Sequence, residues 1–160
     1  MAQDHLDSAL QLRAALIRLQ KELLTHLKEG FEKENARMVP PTEWLQVIMV
    51  AQRYAWLREL TSLVADIDLL TELEALSEED VALARVEVER LFFAEAASEF
   101  NKHYMQLMKQ GAPFMVEHGH LRQTTNLLPT PTRTWAPEES HSARKKWHEE
   151  HHRQSRKRRS

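Results

Sequence analysis

The sequence predicts an all-α protein. A single bundle of five or six helices is expected over residues 4–122, followed by a Pro/Thr-rich linker and a flexible basic tail over 123–160. Three observations carry that expectation. Apolar residues recur at helical spacing in one segment after another as far as Leu121. Only three glycines occur, too few for a loop-rich β fold or a glycine-rich phosphate cradle. No stretch alternates apolar and polar residues as a half-buried strand does. A chain of 160 residues, 42% hydrophobic and 29% charged, has room for one domain with a real core.

The first helix is expected over 5–29. Ala9, Leu12, Leu16, Leu19 and Leu23 form one seam, which Leu6, Leu10, Ile17, Leu24 and Leu27 widen into a broad stripe. Asp4 or Asp7 can cap its start, and Gly30 suits the left-handed position past its end. Pro40-Pro41 bars a helix from running on. Thr42 is then a candidate N-cap for "EWLQVIMV", a short and very apolar helix, and "QRYAW" is a candidate turn. A regular helix is expected over 55–73, with Trp56, Leu60, Leu63, Ile67 and Leu70 on its buried face.

"SEEDVALARVEVERLFF" opens with Ser77 followed three residues later by Asp80, an Asp variant of the capping box. Val81, Ala84, Val88, Leu91 and Phe92 form the next apolar face. The pattern resumes through Ala96, Phe100, Tyr104, Leu107 and Met108. One helix over 78–109 would be about 48 Å long and overshoot its neighbours, so a break near "FAEAASE" is expected. Gly111 ends that segment, and Pro113 suits the first turn of a last short helix, "PFMVEHGHLRQ". In "TTNLLPTPTRTWAPEESHS" the rhythm stops, as in an extended linker. The body is therefore expected to fold alone, and a chain ending near Gln123 to keep its stability.

Charge is unevenly distributed. Residues 123–160 carry nine Lys/Arg against four Glu, and residues 1–122 carry a net charge of −7. An acidic body is thus joined to a basic tail. No cysteine is present, which excludes disulfides, iron–sulfur clusters and thiolate zinc. The N-terminal stretch carries Asp4 and Asp7 where a secretory signal has Lys or Arg, and no apolar run is long enough to span a membrane. A cytoplasmic protein is expected.

Several residues could carry chemistry. His148-Glu149-Glu150-His151-His152 satisfies H-E-x-x-H, in which two histidines one turn apart hold zinc and the Glu activates water. A third ligand is needed, and only "RQSRKRRS" follows, without His, Asp or Glu. Adventitious metal binding by His141, His148, His151 and His152 is the expectation, with no cofactor and no catalytic residue. Glu117, His118 and His120 form "EHGH", which suits either a metal or acid–base site or a helix C-terminus. Asp66 and Asp68 point about 200° apart on a helix and cannot serve one substrate. Asp68, toward the apolar side, is expected to be partly buried and either to cap a neighbouring helix or to pair with an Arg such as Arg53 or Arg58. Phe92 and Phe93 cannot face the same core, so one is a candidate for a patch that another subunit covers.

The tail residues Arg144, Lys145, Lys146, Arg156, Lys157, Arg158 and Arg159 are candidates for phosphate contacts. Trp135 and Trp147 lie outside any apolar rhythm, as anchors for a partner, a membrane interface or a stacked base do.

The stretches "PPTEWLQVI", "AWLRELTSLVADIDLL" and "YMQLMKQGAPFMVEHGHLR" resemble a group of small bacterial proteins of unknown function. There a Trp-Leu-Arg stretch leads into a helix carrying Ile-Asp, and a further helix precedes a last short one. The resemblance spans residues 6–122. It implies a bacterial cytoplasmic helical domain and supplies no activity or cofactor. The basic tail lies outside it.

The functional expectation is a non-enzymatic interaction or regulatory module, with a protein partner or self-association through a helical surface. The alternative is nucleic-acid binding through the basic tail. A metal-dependent enzyme using the His-rich segments comes third.

Overall fold

The computed structural model describes residues 2–95 and 97–159, and every regular element among the described residues is a helix, with no strand. Seven α-helices are present among them: α1 Ala2–Asn35, α2 Pro41–Val50, α3 Arg58–Thr71, α4 Glu78–Phe92, α5 Glu99–Lys109, α6 Met115–Thr125 and α7 Pro137–Arg159. A 3-10 turn, Gln52–Leu57, joins α2 to α3. None of these helices is long and apolar enough to cross a membrane.

Helix α1 is the spine, packing along α6 and α3. Its expected seam is realised in full, with Ala9, Leu12, Leu16, Leu19 and Leu23 all inaccessible to solvent. The helix does not stop at Gly30. That residue faces open space, where even a Cβ would touch nothing, so it interrupts no packing. The extra turns bring Phe31 onto Trp44 of α2, with ring centroids 5.7 Å apart. The helix ends instead at Ala36, whose φ of +50° closes a Schellman arrangement. The Ala36 N–H donates to the Lys33 carbonyl and the Arg37 N–H to that of Glu32.

Pro41 occupies the first position of α2, and no side chain caps it, so Thr42 is not the N-cap. The backbone after α2 winds as a 3-10 turn. That tighter winding buries Tyr54 and Leu57 and leaves Trp56 half-buried, stacked on His103 at 4.7 Å. Trp56 is therefore displaced from the core seat expected of it, which Leu57 takes.

The capping box of α4 is formed from both sides. The Ser77 hydroxyl accepts from the Asp80 N–H at 3.0 Å, and the Asp80 carboxylate accepts from the Ser77 N–H at 3.2 Å. The expected break separates α4 from α5. Ser98 caps α5, and the buried Asn101 amide donates to the Leu91 carbonyl at 2.8 Å, tying the two helices across the break. Ala96, through which the apolar pattern was expected to resume, lies outside the described residues. Gly111, at φ +79°, closes α5 as its sequence position suggested. Phe92 is buried against Phe100 and Tyr104, whereas Phe93 is half-buried. The Arg122 guanidinium lies 4.2 Å from the Phe93 ring centroid and covers part of it.

The largest departure from expectation is the tail. Residues 137–159 are helical and lie against α3. The flexible-tail expectation is corrected here, and so is the linker reading at both ends. Residues 124–125 belong to α6, and Leu128 is buried. The reason is physical. α7 has almost no apolar stripe, but it carries one buried indole, Trp147, together with Ser140 and Gln154. Its remaining attachments are charged, and they use the opposite charge of the body.

Candidate interaction surface

Ion pairs fasten α7 to the acidic side of α3 and α4. The Arg144 guanidinium donates from Nε to Asp66 Oδ2 at 2.6 Å and from Nη1 to Glu87 Oε1 at 3.1 Å. His148 Nε2 lies 2.6 Å from the other Asp66 oxygen, and Trp147 Nε1 donates to Asp80 at 3.2 Å. His151 contacts Glu72 at 2.7 Å, and Arg158 reaches Glu74 at 3.6 Å. Asp66, not Asp68, is thus the buried carboxylate. Asp68 is half exposed and pairs with Arg13, while Arg53 pairs bidentately with Glu34 and Arg58 has no partner among the described residues.

Of the two H-E-x-x-H histidines, His148 is drawn to Asp66 and His152 is exposed. His151 is directed to Glu72, and His141 is exposed. Among the described residues no group of three or more His, Asp or Glu is placed to hold a metal. Of the expected tail contacts, Arg144 and Trp147 face inward. Lys145, Lys146, Arg156, Lys157, Arg158 and Arg159 remain exposed.

"EHGH" lies inside α6 rather than at its end. His120 is exposed, whereas His118 Nδ1 is 2.7 Å from the Tyr104 hydroxyl. Burial holds the His118 pKa below the ordinary histidine value, and Arg122 adds to that; burial likewise pushes the Tyr104 phenol up. Both shifts favour a phenol donating to a neutral imidazole. A depressed histidine pKa means the unfolded chain takes up its proton first as pH falls. Stability is thus fully present above the ordinary value of 6.5 and is lost as pH falls from there through the folded value. Urea midpoints should drop between about pH 7 and pH 5, and the drop should shrink in His118→Gln, which keeps an acceptor for Tyr104.

A cleft of about 920 Å³ lies between α4 and α7 and includes Trp135, Trp147, Asp80 and Arg153. Its charges largely satisfy one another. Arg133 pairs with Glu139 and Glu79 and lies 4.0 Å over the Trp135 ring, and Arg153 pairs with Glu150. Glu138, Lys146 and Glu149 also line it, charges of both signs without a partner among the described residues.

A different surface has unspent apolar area. Two adjoining clefts, about 480 and 610 Å³, run between α1, α2 and the start of α3 and share Gln20, Leu24, Leu45 and Ile48. Helix α2 is anchored by Trp44, which packs on Phe31 and Tyr54, and by the Arg37–Glu43 pair at its start. With Trp44 turned inward, Leu45 and Met49 project outward at one-turn spacing, 54% and 64% exposed. Ile17 of α1 faces the same groove and is 43% exposed. Among the described residues the only charged ones lining the two clefts are Lys21, Lys28 and Arg58, all cations and none of them paired there.

The sequence marks "EWLQVIMV" as a short and very apolar helix but does not indicate which of its sides is covered. The overlooked signal is that a ten-residue helix with apolar residues on all sides, and Glu43 its only charge, buries only one side when it lies at the surface.

Comparison of the chain with protein-family models, curated proteins and solved structures finds no match.

Proposed function

We propose that the protein is a non-enzymatic interaction module that receives an acid-flanked amphipathic helix of a partner protein in the groove between α1, α2 and α3. One observation carries this reading: an apolar groove with Ile17, Leu45 and Met49 exposed along it, whose only charges among the described residues are unpaired cations. A helix laying its i, i+3, i+4 and i+7 residues into a groove is a recurrent mode of recognition. Burying each exposed Leu, Ile or Met is worth about 1.5–3 kcal/mol before ordering costs. Lys21, Lys28 and Arg58 supply the selection, because acidic flanks on the incoming helix complement them and basic flanks are repelled.

Two amphipathic peptides with the same Leu face, one Glu-flanked and one Lys-flanked, test this by fluorescence anisotropy against the full chain. The Glu-flanked peptide should bind at least about tenfold more tightly, a difference of about 1.4 kcal/mol. Leu45→Asp should abolish that binding while leaving the fold intact, because Leu45 is exposed. Equal affinity for the two peptides, or binding unaffected by Leu45→Asp, would exclude the groove as the docking site.

A further inference from the structure

The exposed side of α7 raises a question independent of the groove. Four of its side chains, Lys145, His152, Arg156 and Arg159, fall within about 60° of one another around the helix, given 3.6 residues per turn. They extend along about 21 Å of its length, at 1.5 Å per residue. All four are exposed, and none makes a hydrogen bond, ion pair or ring contact among the described residues. Arg144, His148, His151 and Arg158 are engaged by Asp66, Glu87, Glu72 and Glu74. The acidic body therefore engages part of the tail's charge and leaves this stripe unengaged.

We infer that the outer face of α7 is a binding surface for the phosphate backbone of double-stranded nucleic acid. The observations select this occupant over other anionic ones. The stripe has no apolar side chain beside it with which to enter a bilayer, and an interfacial helix needs one. Trp147, the side chain suited to stacking on an unpaired base, is buried and bonded to Asp80. What remains is a row of long cationic side chains, and these contact phosphates without reading bases. The helix is also already folded and held on α3, so binding does not bear the cost of ordering a disordered tail. Glu149 interrupts the row and marks where contact is weakest.

The probe is a mixed-sequence DNA duplex of about two helical turns, titrated with the full chain. With Lys145, Arg156 and Arg159 each neutralising a phosphate, the log–log salt slope should be near −3. Affinity should then fall about fortyfold between 50 and 200 mM salt. Reversing the three charges together, Lys145→Glu, Arg156→Glu and Arg159→Glu, should remove binding at the lower salt. The neutral set, Lys145→Gln, Arg156→Gln and Arg159→Gln, should weaken it at least about tenfold with less strain on the helix. Reversing Arg18, Lys33 and Lys109, three exposed cations on other helices, changes the net charge equally and should leave binding in place. A single strand of the same sequence should bind no better than the duplex. The inference is overturned if the duplex does not bind at low salt. It is overturned equally if the control reversal weakens binding as much as the α7 reversal. Preferential binding to vesicles rich in anionic lipid, or to the single strand, would also overturn it.

Discussion

Replacing Trp147 with alanine is expected to cost about 3–5 kcal/mol of stability, the range for removing a buried aromatic side chain. The indole is 3% exposed and belongs to the same buried cluster as the body's leucines. Its loss also leaves Asp80 without one of its donors. For a chain of this size each kcal/mol shifts the melting temperature by about 2–4 °C, so the variant should melt about 6–20 °C lower. Ending the chain near Gln123 removes the same indole along with every charge contact of α7. It also removes Leu128, whose carbonyl accepts from Arg85 at 2.7 Å. The truncated chain should therefore lose stability and cooperativity, the reverse of what the sequence alone suggests. Should Trp147→Ala cost less than about 1 kcal/mol, α7 would be a loosely attached arm, and the body would be the independent unit that its apolar rhythm implies.

The contrast between α1 and α7 explains which parts of the fold the sequence reveals. The α1 seam repeats at 3-4-3-4 spacing and is buried residue for residue, because burial of leucines leaves a periodic trace. The Ser77–Asp80 capping box, the break after Phe93 and the turn at Gly111 are equally local, each set by a few neighbouring residues. Attachment of α7 leaves no such trace. It depends on one indole and on pairs such as Arg144–Asp66, which are 78 residues apart in sequence. The charge asymmetry between body and tail was legible, but not which cations the body would engage. Trp56 shows a different limit: a single 3-10 turn rotated the register, so that Leu57 took the buried seat. The groove shows a third. "WLQVIMVA" is plainly apolar, yet whether Leu45 is covered depends on what packs above α2, and that is a tertiary fact.

Asp66→Ala is expected to destabilise the protein by about 3 kcal/mol, the lower part of the range for breaking a buried ion pair. Asp66 and Arg144 retain only 10% and 15% side-chain exposure, so solvent screens their attraction little. Removing Asp66 leaves Arg144 and His148 facing a site that lacks its central acceptor. Glu87, 1% exposed, still accepts from Arg144 at 3.1 Å, and this keeps the cost at the lower end. Arg144→Ala should be at least as costly, because it leaves two buried carboxylates without their shared donor; Arg90 then compensates only Glu87. Replacing both members with alanine should cost clearly less than the sum of the two single changes, because neither charge is then left buried alone. Urea denaturation of the four proteins gives the coupling energy directly. Additive effects would mean that the two side chains act separately, and that α7 is held chiefly by Trp147. Strong coupling together with a large Trp147 effect would mean that indole and ion pair share the docking. In that case hydrogen exchange should show α7 losing protection before α3 in Asp66→Ala, because the helix that depends on the pair for its attachment opens first.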